Sequence, residues 1–159
     1  MPPNWTWRSG RLEPREAVVF DLDGVLSDAA GRQHFIEGAR RDWDSFFDAC
    51  GEDPPVKEVA TLLDLLNPAL AIVLLTGRPR RVRSQTLSWL SRHQLRWDVL
   101  VMRDSGDYSQ VTRFKRTAVA ELRTFGFDLV LALEDDPRNR EMFHAQGVPC
   151  IYIHSGYYG

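Results

Sequence analysis

Two aspartates one residue apart, Asp21 and Asp23, stand where an apolar run ends and Gly24 turns the chain. In a strand, residues i and i+2 share a face. At the strand's end this spacing leaves one carboxylate poised at a substrate while the other leans toward it from the departing loop. Neighbouring carboxylates repel, and both ionise comfortably only beside a cation. The pair therefore predicts an oxygen-loving divalent metal, Mg2+ above all, and chemistry on something anionic, because metal and phosphate go together. Three further places carry candidate chemistry. Thr76-Gly77-Arg78-Pro79 ends a second apolar run, and Glu134-Asp135-Asp136-Pro137 ends another. Lys115 is one of only two lysines against eighteen arginines. Arginine supplies the general surface charge here, so a lysine near a helix start suggests a compact ammonium that approaches a phosphoryl oxygen. An attacking carboxylate, an acid for the leaving oxygen, and a lysine and hydroxyl for the equatorial oxygens would make up a phosphoryl-transfer site.

The elements that must position these groups alternate. Apolar runs at 17–22, 71–76, 98–102, 129–133 and 150–154 are nearly continuous, as in strands covered on both faces. Helical patterns lie between them, at 54–66, 79–93, 114–125 and 137–146, with Pro near the starts of three and Gly126 and Gly147 past the ends of two. The order predicts an α/β fold, a doubly wound, mainly parallel five-stranded sheet with sites at the carboxyl ends of the strands. Residues 28–53 fit no strand–helix unit. With Trp43, Phe46 and Phe47 at helical spacing, they read as a small flap over the first strand's end. Residues 1–16 read as a tail and 17–159 as one domain.

Composition bounds the function. At 159 residues the chain can bury a core without staples, and 43% hydrophobic with 26% charged residues is that of an ordinary globular protein. A net charge of −2 gives no global attraction to nucleic acid, so such binding must come from a local patch. The two cysteines, Cys50 and Cys150, form no disulfide framework and suit a reducing cytosol. No apolar stretch approaches membrane-spanning length, and nothing fixes the oligomeric state.

Asp-x-Asp-Gly-Val-Leu at 21–26, Thr76, Lys115 and the acidic pair, in this order, resemble the haloacid dehalogenase superfamily of phosphatases from Ala17 onward. The resemblance implies Asp21 as a nucleophile that forms an aspartyl-phosphate and Asp23 as general acid/base. It implies Thr76 and Lys115 as ligands of the phosphoryl oxygens. Mg2+ would be held by Asp21, the Asp23 carbonyl, Glu134 and Asp135. Many members have two aspartates in the last motif, whereas here Glu134 comes first and Asp136 follows, so the pair serving the metal is open among the three. Met102-Arg103-Asp104-Ser105-Gly106-Asp107, Phe114-Lys115, Phe127–Asp135 and the closing Ser155-Gly156 look like the 3′-phosphatase domain of bacteriophage-type polynucleotide kinase/phosphatases; no kinase phosphate loop occurs. That likeness implies a nucleic-acid 3′ end as substrate, with Gly77, Arg78, Arg103, Asp107 and Arg32 on the substrate side. A nucleotide or metabolite phosphatase, or a non-catalytic phosphate- or nucleic-acid-binding module of the same fold, are the alternatives. The acidic run at 134–136 also suits a helix start by itself, and the arginines at 78–96 also suit a solvated helix face.

Overall fold

A computed structural model describes residues 2–107 and 109–158; Met1 and Gly159, the outer limits of the expected tail and domain, lie outside the described residues. Six strands form one sheet: β1 (Trp5–Trp7), β2 (Glu16–Phe20), β3 (Ala71–Pro79), β4 (Val99–Arg103), β5 (Asp128–Glu134) and β6 (Cys150–Tyr152). Their order is β1-β4-β3-β2-β5-β6. All neighbours are parallel except β1, which runs antiparallel to β4 with Trp5 opposite Val101. The sheet thus has six strands rather than the expected five. The sixth comes from the segment read as a tail, where a three-residue strand is too short for a run of apolar residues to reveal it.

Successive strand residues point to opposite faces, and the core divides accordingly. Ala17, Val19, Val73 and Val101 pack with one cluster, against α4 (Val111–Phe125) and α5 (Pro137–Ala145). Val18, Phe20, Ile72 and Leu74 pack with the other, against α2 (Lys57–Leu65) and α3 (Arg83–Arg92). Helices on both faces explain why the strands read as continuously apolar. Residues between β2 and α2 form the flap: 3₁₀ turns at Ala30–Ile36 and Cys50–Glu52 flank a short helix, α1 (Trp43–Asp48). Asp42 caps α1 by accepting from Ser45 N at 3.0 Å. No helix among the described residues is long and apolar enough to cross a membrane.

β1 is anchored twice. Trp5 is buried in the core and meets the edge of Phe125 at 5.8 Å between ring centroids. Asn4 brackets Met102, donating from its side chain to Met102 O at 2.7 Å and accepting from Met102 N at 3.1 Å. Trp5→Ala is expected to lower stability by about 3 kcal/mol. The readout is a lower denaturant midpoint at an unchanged slope; an unchanged midpoint would mean that β1 is not integral to the fold.

Candidate active site

β2 ends beside its two parallel neighbours, β3 and β5, so the loops leaving all three strands meet at one crevice. Asp21 follows β2 directly. Its amide donates to Leu133 O on β5 at 3.1 Å, and its Oδ1 accepts from Leu22 N at 2.8 Å. The chain then turns tightly: the amides of Val25, Leu26 and Ser27 all donate to Leu22 O. Gly24 makes this turn at φ +84°, and a Cβ there would lie 2.1 Å from Asp135 Oδ2. The turn therefore needs glycine for its conformation and for the close approach of the acidic loop.

Lys115 projects from α4 into the crevice, almost wholly buried, with its Nζ 3.1 Å from Asp21 Oδ1 and 2.8 Å from Glu134 Oε2. Burial opposes its charge, but the two carboxylates outweigh burial and raise its pKa. Burial raises Asp21 well above the usual carboxylate range, and the neighbouring Glu134 charge adds to this. Burial acts the same way on Glu134, yet Lys115 holds Glu134 low. Thr76, at 1% exposure, lines the same small cavity as Asp21, Asp23 and Lys115.

The three acids at the end of β5 separate by role. Glu134 faces Lys115 through Oε2, and its Oε1 accepts from the amides of Asp135 and Asp136 at 3.2 and 3.3 Å. Asp136 caps α5, its Oδ1 accepting from Arg138 N at 2.9 Å. Asp135 is different: both carboxylate oxygens are buried and lack a hydrogen-bond partner. Burial and the Glu134 charge push its carboxyl up to about 7. Oxygens of Asp21, Glu134 and Asp135 lie within 4.8 Å of one another. Two orphaned oxygens in a nest of hard donors, closed by a glycine whose Cβ would fill it, are what a divalent cation with oxygen preference requires.

Asp23 sits in a second network. Its Oδ1 accepts from Arg32 Nη2 at 2.7 Å and from Arg78 Nη2 and Nε at 2.7 and 3.1 Å. Burial would raise this carboxyl, but Arg78 and Arg32 outweigh it and hold the pKa at about 2. Arg32 is itself fixed by the flap: it donates to both oxygens of Asp53, at 2.8 and 2.6 Å, and to Phe46 O at 2.9 Å, with its guanidinium 4.4 Å from the Phe46 ring centroid. Arg78 donates onward to Thr86 and Ser27.

Two residues expected on the substrate side therefore stand elsewhere. Arg78 has no exposed surface and Arg32 almost none; both sit behind Asp23, because β3 runs on to Pro79 and turns the Arg78 side chain inward. Gly77, Arg103 and Asp107 line an open cleft beside the small cavity of Asp21 and Lys115. There Asp107 Oδ1 accepts from Ser109 N and Oγ, and Arg103 Nε is buried without a hydrogen-bond partner, 3.9 Å from Asp107 Oδ2. Asp53, which orders the arginine pair, has no motif to mark it.

A family profile described as the polynucleotide kinase PNKP phosphatase domain matches residues 15–158. Among solved structures, a chain in a Pnkp1/Rnl/Hen1 RNA repair complex superposes with a TM-score of 0.75 at 25% identity, over 93% of this chain. A second chain from a Pnkp1/Rnl/Hen1 complex gives 0.71 at 26% identity, over 89%. This chain spans only 45% and 46% of those two chains. A haloacid dehalogenase-like hydrolase from Streptococcus pneumoniae shares the fold, with a TM-score of 0.56 at 14% identity, over 86% of this chain and 83% of that one. No curated protein matches the chain.

Proposed function

Because the chain belongs to the polynucleotide kinase PNKP phosphatase-domain family, and so to the phosphatases of the haloacid dehalogenase superfamily, we propose that it removes a 3′-phosphate from a nucleic-acid end through an aspartyl-phosphate. The observation that carries this reading is the family match over residues 15–158. It encloses one crevice that gathers Asp21, Asp23, Thr76 and Lys115.

Asp21 attacks phosphorus in line with the leaving 3′-oxygen, forming the carboxyl–phosphoryl bond as the phosphoryl–oxygen bond breaks. Lys115 Nζ, already 3.1 Å from Asp21 Oδ1, and the Thr76 hydroxyl take up charge on the equatorial oxygens. Asp23 is held as a carboxylate by its two arginines, which suits it to draw a proton from the water that later hydrolyses the aspartyl-phosphate. An incoming phosphoryl anion raises the affinity of a nearby carboxylate for a proton, the condition for Asp23 to protonate the leaving oxygen in the first step. Asp135, with Asp21 and Glu134, would hold Mg2+, which supplies neutralisation of the charge between nucleophile and phosphate. Neither cysteine is in a disulfide, which fits work in a reducing cytosol.

The test is a comparison of oligonucleotides carrying a 3′-phosphate or a 5′-phosphate with a mononucleotide and a sugar phosphate. The 3′-phosphorylated oligonucleotide is expected to have at least about tenfold the kcat/KM of the others, because contacts beyond the reacting group contribute to its transition state. If a mononucleotide or sugar phosphate is the better substrate, the polynucleotide assignment fails and the phosphatase assignment stands.

A further inference from the structure

The cavity that holds Asp21, Thr76 and Lys115 measures about 160 Å³. It admits a phosphoryl group but not a nucleoside, since sites that enclose drug-sized ligands run to roughly 300–1,000 Å³. The organic part of the ester must therefore lie outside it. Two clefts of about 730 Å³ each open from its mouth. One residue of the flap, Trp43, lines the cavity and both clefts.

Trp43 is 44% exposed, one of the few large apolar side chains the fold leaves in water. It does not swing freely. Phe47 stacks against its ring at 5.9 Å between centroids and 26° between planes, and Phe46 meets it edge-on at 5.5 Å. Phe46 in turn lies under the Arg32 guanidinium that binds Asp23. The indole is thus a braced platform, tied through two residues, Phe46 and Arg32, to the Asp23 carboxylate. Across the mouth stand Tyr157 and Tyr158. Tyr157 is pinned by its hydroxyl, which donates to Asp28 Oδ1 at 3.2 Å.

The two clefts differ in charge. The cleft with Arg103 also carries Asp44, Asp48, Asp104 and Asp107. Its other cation, Arg81, is engaged by Asp44 and Asp48. A phosphodiester chain would meet mostly carboxylates there. The cleft between flap and C-terminal segment is balanced, with Arg41 and Arg138 against Glu37 and Asp136, and two tyrosines form its wall. Asp136 caps α5 and pairs with Arg138 at 3.1 Å, but the Arg138 side chain stays 75% exposed, and Arg41 makes no ion pair among the described residues.

Resting on the 3′-phosphatase reading, we infer that Trp43 is a base-stacking subsite for the terminal nucleoside, and that the strand leaves over Arg41 and Arg138 between the flap and the C-terminal segment. The ligand is a single-stranded 3′ end, whose bases have free π-faces to lay on an aromatic platform and whose backbone follows a groove with positive charge.

Binding is measured in the Asp21→Asn background, where no turnover intervenes, with a single-stranded 3′-phosphorylated oligonucleotide. Trp43→Ala is expected to raise Kd about tenfold or more, and Trp43→Phe to restore it. An oligonucleotide whose terminal nucleotide is abasic should lose the same factor on the protein with Trp43 and lose nothing further on Trp43→Ala. Arg41→Ala with Arg138→Ala should flatten the slope of log Kd against log salt by about 1.4, at roughly 0.7 for each single-strand phosphate contact. If Trp43→Ala leaves Kd unchanged, if Phe does not rescue it, or if the abasic end binds as well as the normal one, the stacking subsite is overturned. An unaltered salt slope in the double arginine variant overturns the path of the strand. Both results are distinct from failure of the substrate reading, which would show as an inability of the unsubstituted enzyme to hydrolyse any oligonucleotide 3′-phosphate.

Discussion

Asp21→Asn is expected to fold normally and to lose phosphatase turnover by ~10³-fold or more, since an amide cannot form the acyl-phosphate. The fold survives because the amide oxygen still accepts from Leu22 N and Lys115 keeps Glu134 as a partner. Substitution also removes a carboxylate whose burial beside Glu134 already disfavours its charge, so stability should hold or rise. In the unsubstituted enzyme, rapid quenching during turnover should trap a phosphoryl label on residue 21. Near-normal turnover by the Asn variant, or a label on Asp23, would overturn the assignment of the nucleophile.

Asp135→Asn should separate stability from activity in opposite directions. In the metal-free protein the Asp135 carboxylate is buried, lacks a hydrogen-bond partner and lies close to Asp21 and Glu134. An unsatisfied buried polar group costs about 1–3 kcal/mol, and like charges add to that. A neutral amide reduces the repulsion, so the metal-free variant should melt above the metal-free parent. The same change removes a hard anionic donor. Mg2+ should stabilise the parent by mass action and should shift the variant little, while activity falls by ~10²-fold or more. Chelation should abolish activity in the parent and added Mg2+ should restore it. A parent that keeps full activity after chelation, or a variant with an undiminished Mg2+-induced shift in Tm, would count against Asp135 as the ligand.

Asp21, Asp23, Thr76, Lys115, Glu134 and Asp135 are legible in the sequence because each stands at or near the end of an element whose pattern is local. The sheet then brings those ends together, as the alternation of strands and helices implies. The partners of the arginines are not legible. Arg32 and Arg78 are nine and 55 residues from Asp23, and a guanidinium near a phosphate site reads as a substrate contact until the fold shows which anion it meets. Here that anion is the protein's own. Asp136 illustrates a similar limit: three consecutive acids look equivalent as a string, but a single-residue step along a strand end and into a helix gives each a different neighbour. β1 does leave a faint signal. Trp5-Thr6-Trp7 alternates as a half-covered strand does, but three residues among prolines resemble a tail.

The edges of the sheet carry a consequence for self-association. A strand at an edge presents unpaired amides and carbonyls that can template a neighbour from another molecule. Both outer strands, β1 and β6, are only three residues long. The longer strands that end at the candidate site, β2, β3 and β5, all lie inside them with partners on both sides. Shortening β1 would uncover the edge of β4 along Val99, Leu100 and Val101, all three buried, so the first few residues act as a guard against intermolecular sheet growth as well as a part of the fold. Loss of that guard should first appear as concentration-dependent light scattering, before any fall in the activity of the protein still in solution.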